Sequence, residues 1–138
     1  MNTPPTRLFV LIAVLLPLTI GGCQSLASRQ SNIELDKVLS SYQTTVRWGT
    51  PDQAYIFMKP ENQSEAELPA DLDNVRITGY EVVRQPVPVS EGVVSQTAKI
   101  SYTLKDRQIE RHLLDQQTWE YQPEQKIWYR ISPIPEYK

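Results

Sequence analysis

From Val75 onward the chain alternates apolar and polar residues with a period of two. The clearest stretch is 94–104, where Val94, Ala98, Ile100, Tyr102 and Leu104 share one parity and Ser95, Thr97, Lys99, Ser101 and Thr103 the other. Successive side chains of a strand point to opposite faces, so this pattern predicts a sheet with one buried and one wet face. The buried face needs a second layer to cover it.

Turn residues divide the alternating region into strands. Val75 and Ile77 share a face, but the phase becomes ambiguous beyond Gly79, through Tyr80, Val82 and Val83, which suits a bulge or bend at the glycine. Pro86-Val87-Pro88-Val89 predicts an edge, because proline cannot donate to a ladder, and Ser90-Glu91-Gly92 predicts a turn. Lys105-Asp106-Arg107 then leads into a strand over Gln108–Tyr121, where Ile109, Leu113, Trp119 and Tyr121 share parity with Arg111, Asp115 and Gln117. Gln122–Lys126 is a last turn and Ile127–Ser132 a last strand.

The residues before the strands read as helical. Leu35, Val38, Leu39, Tyr42 and Val46 lie on one face of a helix over Asn32–Trp48, opened by a capping box at Ser31-Asn32-Ile33-Glu34 and closed by Gly49 in a left-handed conformation. Thr50-Pro51-Asp52-Gln53 starts a second helix, with Thr as cap and Pro in the first turn, which Lys59-Pro60 stops. Residues 61–73 hold Pro69 and five acidic residues and read as an exposed loop. The expected fold is α+β: an N-terminal helix pair packed on a four-stranded antiparallel sheet, strongly curved because strands of ten or more residues curl rather than lie flat.

Ahead of this domain lie Arg7, an apolar run over Leu8–Ile20, and Gly21-Gly22-Cys23. At about 1.5 Å per residue the run reaches roughly 20 Å, short of a ~30 Å hydrocarbon core, so it reads as a signal peptide rather than a span. Ile20-Gly21-Gly22-Cys23 resembles the lipobox of bacterial lipoproteins. That resemblance implies cleavage before Cys23, acylation of its thiol by palmitate-like chains, and, since Gln24 rather than Asp follows, an outer-membrane anchor on the periplasmic face. The chain then divides into a leader (1–22), a lipidated tether (23–30) and a single domain (31–138).

Composition removes several functions. The 14 Lys+Arg against 16 Asp+Glu form no basic run longer than two, so the patch that drives nucleic-acid binding is missing. One Cys and one His provide neither a disulfide nor a two-histidine zinc site, and no metal or cofactor is expected. His112 falls on the polar face, where Glu110 is its nearest same-face carboxylate, and no nucleophile motif accompanies it. No catalytic residues are expected.

Arg111 and Asp115 share the inward parity with Leu113 and Trp119. They either line a pocket for an anionic or amide ligand or pair with each other or with Glu81, since unpaired buried charges are costly. Tyr42, Trp48, Tyr55, Tyr102 and Trp119 provide the aromatic wall of such a pocket, or the packing of a small core. Arg47 beside Trp48 suits a helix C-terminus.

The helix pair before a bent meander resembles the NTF2-like or cystatin-like α+β group. Leu39–Pro60, Val75–Val83 and the Trp119…Trp128 end resemble small proteobacterial outer-membrane lipoproteins, chiefly through Arg47-Trp48 and the Trp-bearing strands. The function expected is a lipid-anchored, periplasm-facing, non-catalytic interaction module of the cell envelope, with an envelope protein as partner. The alternative is a small-ligand pocket using Tyr42, Tyr102, Arg111 and Asp115.

Overall fold

In the computed structural model, which describes the backbone of residues 22–138 and the side chains from Leu26 on, the domain is α+β. The leader and the Cys23 side chain lie outside what is described. Helix α1 (Gly22–Trp48) is followed by a 3₁₀ segment (Pro51–Phe57), helix α2 (Pro60–Glu65), a 3₁₀ turn (Leu72–Asn74) and strands β1 (Val75–Ser90), β2 (Val93–Leu104), β3 (Glu110–Gln122) and β4 (Ile127–Arg130). Every strand pairs antiparallel with the next, in the order β1-β2-β3-β4.

The apolar stripe of α1 does what its spacing requires. Leu35, Leu39, Tyr42 and Val46 are buried and join Val75, Ile77, Val94, Ile100, Tyr102, Trp119 and Trp128 in one core. Trp128 Nε1 ties the helix to β4 by donating to the Ser31 carbonyl at 2.9 Å. The end of α1 is as expected, but its beginning is ten residues earlier, so no cap forms at Ser31. The Ser31 hydroxyl instead bonds the Ser28 carbonyl one turn back, and Glu34 takes Gln30 and Lys37. The segment read as a tether is therefore helical, and its seven residues Gln24–Gln30 rise about 10 Å where an extended chain reaches about 25 Å. Among the described residues, no helix is long and apolar enough to cross a membrane.

The expected helix pair is one helix and a 3₁₀ segment. Gly49 does not take a left-handed conformation; it is small because a Cβ would overlap Gln53 Oε1 and the Thr45 carbonyl oxygen. Gln53 Oε1 accepts from the Thr50 N–H at 3.2 Å, so the chain turns back tightly with no room for a side chain. From the 3₁₀ segment, Ala54 is buried and Tyr55 and Phe57 pack on the core, while α2 buries nothing. The loop expected over 61–73 is thus helical in its first part and 3₁₀ at its end, where Leu72 is buried.

The sheet is open rather than strongly curled. β4 has four residues instead of a long strand, and one helix rather than two lies against the sheet, so there is neither a fourth wall nor a broad second layer to wrap. Register shifts break β1 at Ile77/Gly79, where the phase slips, and at three places further along, through the stretch containing Pro86 and Pro88. β1 is an edge strand, as its prolines require. Gly92 turns the β1–β2 hairpin with φ 67°.

Candidate functional site

Two polar regions stand out, one inside the domain and one on its surface. The interior region is a hydrogen-bonded knot centred on Arg130, which is fully buried at the end of β4. Its five N–H groups each find an oxygen: Nη1 donates to Tyr42 Oη at 2.5 Å and Asp115 Oδ2 at 2.9 Å, Nη2 to Asp115 Oδ1 at 2.5 Å and the Pro133 carbonyl at 2.6 Å, and Nε to the Ser132 carbonyl at 3.1 Å. This is the bidentate fork that favours arginine over lysine for a buried carboxylate. Asp115 Oδ2 also accepts from Tyr42 Oη at 3.2 Å and Gln117 Nε2 at 2.9 Å.

Gln117 carries the network further. Its Nε2 also donates to Tyr80 Oη at 2.7 Å, and its Oε1 accepts from Gln96 Nε2 and Trp119 Nε1, each at 3.2 Å. Among the described residues, no buried side-chain polar atom is left unpaired. Ring contacts enclose the knot, with Tyr42 edge-on to Phe57 and to Trp119, both at 5.3 Å.

The electrostatics follow from this enclosure. Burial pushes the Tyr42 phenol well above its usual value, with Arg130 opposing and Asp115 adding to the rise. Burial raises Tyr80 to about 12 against the opposing hydrogen bond from Gln117. Burial pulls the Arg130 guanidinium down, but its hydrogen bonds to Asp115 and the charges around it leave it above its ordinary value.

The knot accounts for part of the aromatic and charged set expected from the sequence. Tyr42, Asp115 and Trp119 come together in the core. Tyr102 is buried apart from them, its hydroxyl donating to the Lys138 carbonyl at 2.6 Å and its ring edge-on to Tyr137. Tyr55 is half-buried on the 3₁₀ segment, Arg111 is half-buried on β3 opposite Tyr102, and Trp48 is 74% exposed. The expected pairing of Arg111 with Asp115 or Glu81 does not occur. Four residues along a strand span about 13 Å, too far for an ion pair; Asp115 takes Arg130, and Glu81 pairs with Lys99 at 2.7 Å. His112 is exposed on the wet face and meets Ser101 Oγ at 2.9 Å, while Glu110 accepts from Thr78 instead.

Sequence reasoning missed Arg130, Gln96 and Gln117 as parts of the knot. A signal existed for the first: Arg130 shares parity with buried Trp128, so a second inward charge was present to match Asp115.

The surface region is a cleft of about 340 Å³ where the end of α1 meets the start of β1. Arg47, Trp48, Arg76 and Lys105 line it together with Asp73. The Arg47 guanidinium lies over the Trp48 ring, 4.0 Å from its centroid, and Nη1 donates to the Ile77 carbonyl at 3.2 Å. A second hollow of about 490 Å³, lined by Thr78, Thr103 and Gln108, shares Arg76 and Lys105 with the first. Among the described residues, none of these three cations has a carboxylate within ion-pair distance, and no group of His, Cys, Asp or Glu is placed to hold a metal. No protein-family model, curated protein or solved structure matches the chain.

Proposed function

We propose that the protein is a lipid-anchored, non-catalytic interaction module held through Cys23 at the periplasmic face of the outer membrane, serving envelope assembly or maintenance. The observation that carries this reading is the saturation of the interior knot. Arg130, Asp115, Gln117 and Tyr42 are the groups that would orient or protonate a bound molecule, and each already has partners within the fold. Recognition is then left to the surface, and the lipobox-like Ile20-Gly21-Gly22-Cys23 supplies the anchor. Two or more acyl chains exceed the threshold for stable membrane attachment. The likeness to the NTF2-like or cystatin-like group belongs to the same proposal, supported by a helix laid over one face of an antiparallel meander.

The test is to express the full chain with and without Cys23→Ser, label cells with a clickable palmitate analogue and fractionate the envelope. The expected result is labelled wild-type protein in the outer-membrane fraction and an unlabelled variant that leaves it. Unlabelled wild-type protein, or a variant that still fractionates with the outer membrane, overturns the anchor.

A further inference from the structure

Three features of the cleft at the end of α1 bear on what it could bind. It gathers Arg47, Arg76 and Lys105 in a chain whose net charge is −2. Among the described residues these three cations have no carboxylate in ion-pair distance, as is also true of Arg29, Arg84 and Lys126, but here three of them line one cleft. It also presents the ring of Trp48, with Arg47 on one face, while Trp119 and Trp128 are 0% and 5% exposed.

The ordinary role for a cation here is to complement the helix dipole, which places roughly half a negative charge at the C-terminus of α1. Arg47 alone satisfies that role. Arg76 and Lys105 come from β1 and the β2–β3 turn, and with Asp73 the only carboxylate in the lining, the cleft keeps a net positive charge. The adjoining hollow adds hydroxyl and amide groups from Thr103 and Gln108 beside apolar carbon surface. An indole face, unpaired cations and neutral hydrogen-bonding groups in hollows of several hundred Å³ match a ring with an apolar C–H face, hydroxyls and an anionic substituent.

We propose that this cleft binds an acidic saccharide, its carboxylate or phosphate held by Arg76 and Lys105 and one pyranose face stacked on the face of Trp48 that Arg47 leaves open. The inference deepens the interaction-module reading by naming the class of partner, and it rests on that reading only for which envelope glycans the cleft meets. Along the helix, Trp48 lies about 38 Å from Cys23, so the site is at the end of α1 remote from the anchor.

Of the three tryptophans only Trp48 is open to solvent, so acrylamide quenching of fluorescence reports on the cleft. The test titrates the full chain in detergent with N-acetylglucosaminyl-N-acetylmuramic acid as the carboxylated probe and glucosamine 1-phosphate as the phosphorylated one. Neutral chitobiose, inorganic phosphate and an Asp-Glu dipeptide serve as comparisons, and calorimetry measures binding independently of the fluorophore. At least one acidic sugar is expected to bind and shield Trp48, and whichever does so identifies the anionic group. Arg76→Gln or Lys105→Gln should weaken that binding about tenfold, the effect of losing one charge-assisted hydrogen bond, and Trp48→Ala should weaken it while circular dichroism shows the fold intact. Binding of neither acidic sugar overturns the proposal, as does chitobiose binding equally well. Inorganic phosphate or the dipeptide matching the acidic sugars also overturns it, in favour of a simple anion or peptide site. Cys23→Ser should leave this binding unchanged, so a failure of the anchor and a failure of the cleft are read separately.

Discussion

The knot around Arg130 and the cleft around Trp48 are built from the same kinds of residue and are opposite in organisation. Each combines arginine, tryptophan and hydrogen-bonding side chains. In the knot every guanidinium N–H meets an oxygen of the protein and both carboxylate oxygens of Asp115 are occupied, whereas in the cleft three cations share the lining with a single carboxylate, Asp73, which lies beyond ion-pair distance of each. Burial makes the difference. A charge withdrawn from water is tolerated only with its partners in place, while an exposed one keeps its hydration and can wait for a ligand. Saturated polar groups therefore mark what holds this domain together, and unsaturated ones mark where it can bind.

The comparison breaks most visibly at Arg130. Arg130→Met leaves Asp115 charged in the core with only Tyr42 and Gln117 beside it, and stability should fall by about 3–5 kcal/mol, the range for removing one partner of a buried pair. Domains of this size hold only about 5–15 kcal/mol in total, so the urea midpoint should drop sharply. Adding Asp115→Leu to Arg130→Met should recover much of the loss, because two apolar residues leave no orphaned charge. An unchanged midpoint in the single variant would show that the pair does not hold β4 to the core.

Raising the pH attacks the same knot from its phenols. Burial lifts Tyr42 and Tyr80 of the knot above the usual tyrosine value, Tyr80 to about 12, and lifts Tyr137, which packs on Tyr102 outside it, as well. Below pH ~10 these phenols hold their protons in both folded and unfolded chains, and their contribution is fully present. Between about 10 and 12 the unfolded chain releases protons that the native state keeps, so stability falls as pH rises, by up to about 1.4 kcal/mol per pH unit for each such tyrosine. Phenolate absorbance should then rise in two stages, with the buried tyrosines titrating together with the loss of circular dichroism. A single stage completed before unfolding would contradict their burial.

The contrast also explains how much could be read without coordinates. Periodicity is a local property, so the buried parity of 94–104, the stripe of α1, the Gly79 irregularity and the edge character around Pro86 and Pro88 were all legible. What failed was what depends on distant partners. The curl of the sheet turned on the length of β4, and the capping box at Ser31 yielded to a helix that continues through it. Asp115 was correctly turned inward, but its partner lies fifteen residues away on another strand, and the nearer Arg111 drew the assignment. Gln96 lies among the apolar residues of β2, where only the neighbouring Gln117 shows why an amide is tolerated. Trp48 was placed with the pocket aromatics, although its position at the extreme end of α1 puts it beyond the stripe that the core covers.

The smallest effect expected is the sharpest control on the comparison. Arg76 and Lys105 have no carboxylate partner, so Arg76→Gln or Lys105→Gln should change stability by no more than about 0.5 kcal/mol, as for surface positions without a special role. The sign carries information too. Removing one of several neighbouring like charges relieves repulsion, so each variant should be equal to or slightly more stable than wild type at low ionic strength. That gain should fade in 0.1 M salt, where screening acts over about 10 Å. Chemical denaturation at two salt concentrations measures both quantities. A loss above 1 kcal/mol would mean that these cations hold the fold as Arg130 does, whereas neutrality combined with weakened ligand binding would separate the residues that build the domain from those that let it recognise something.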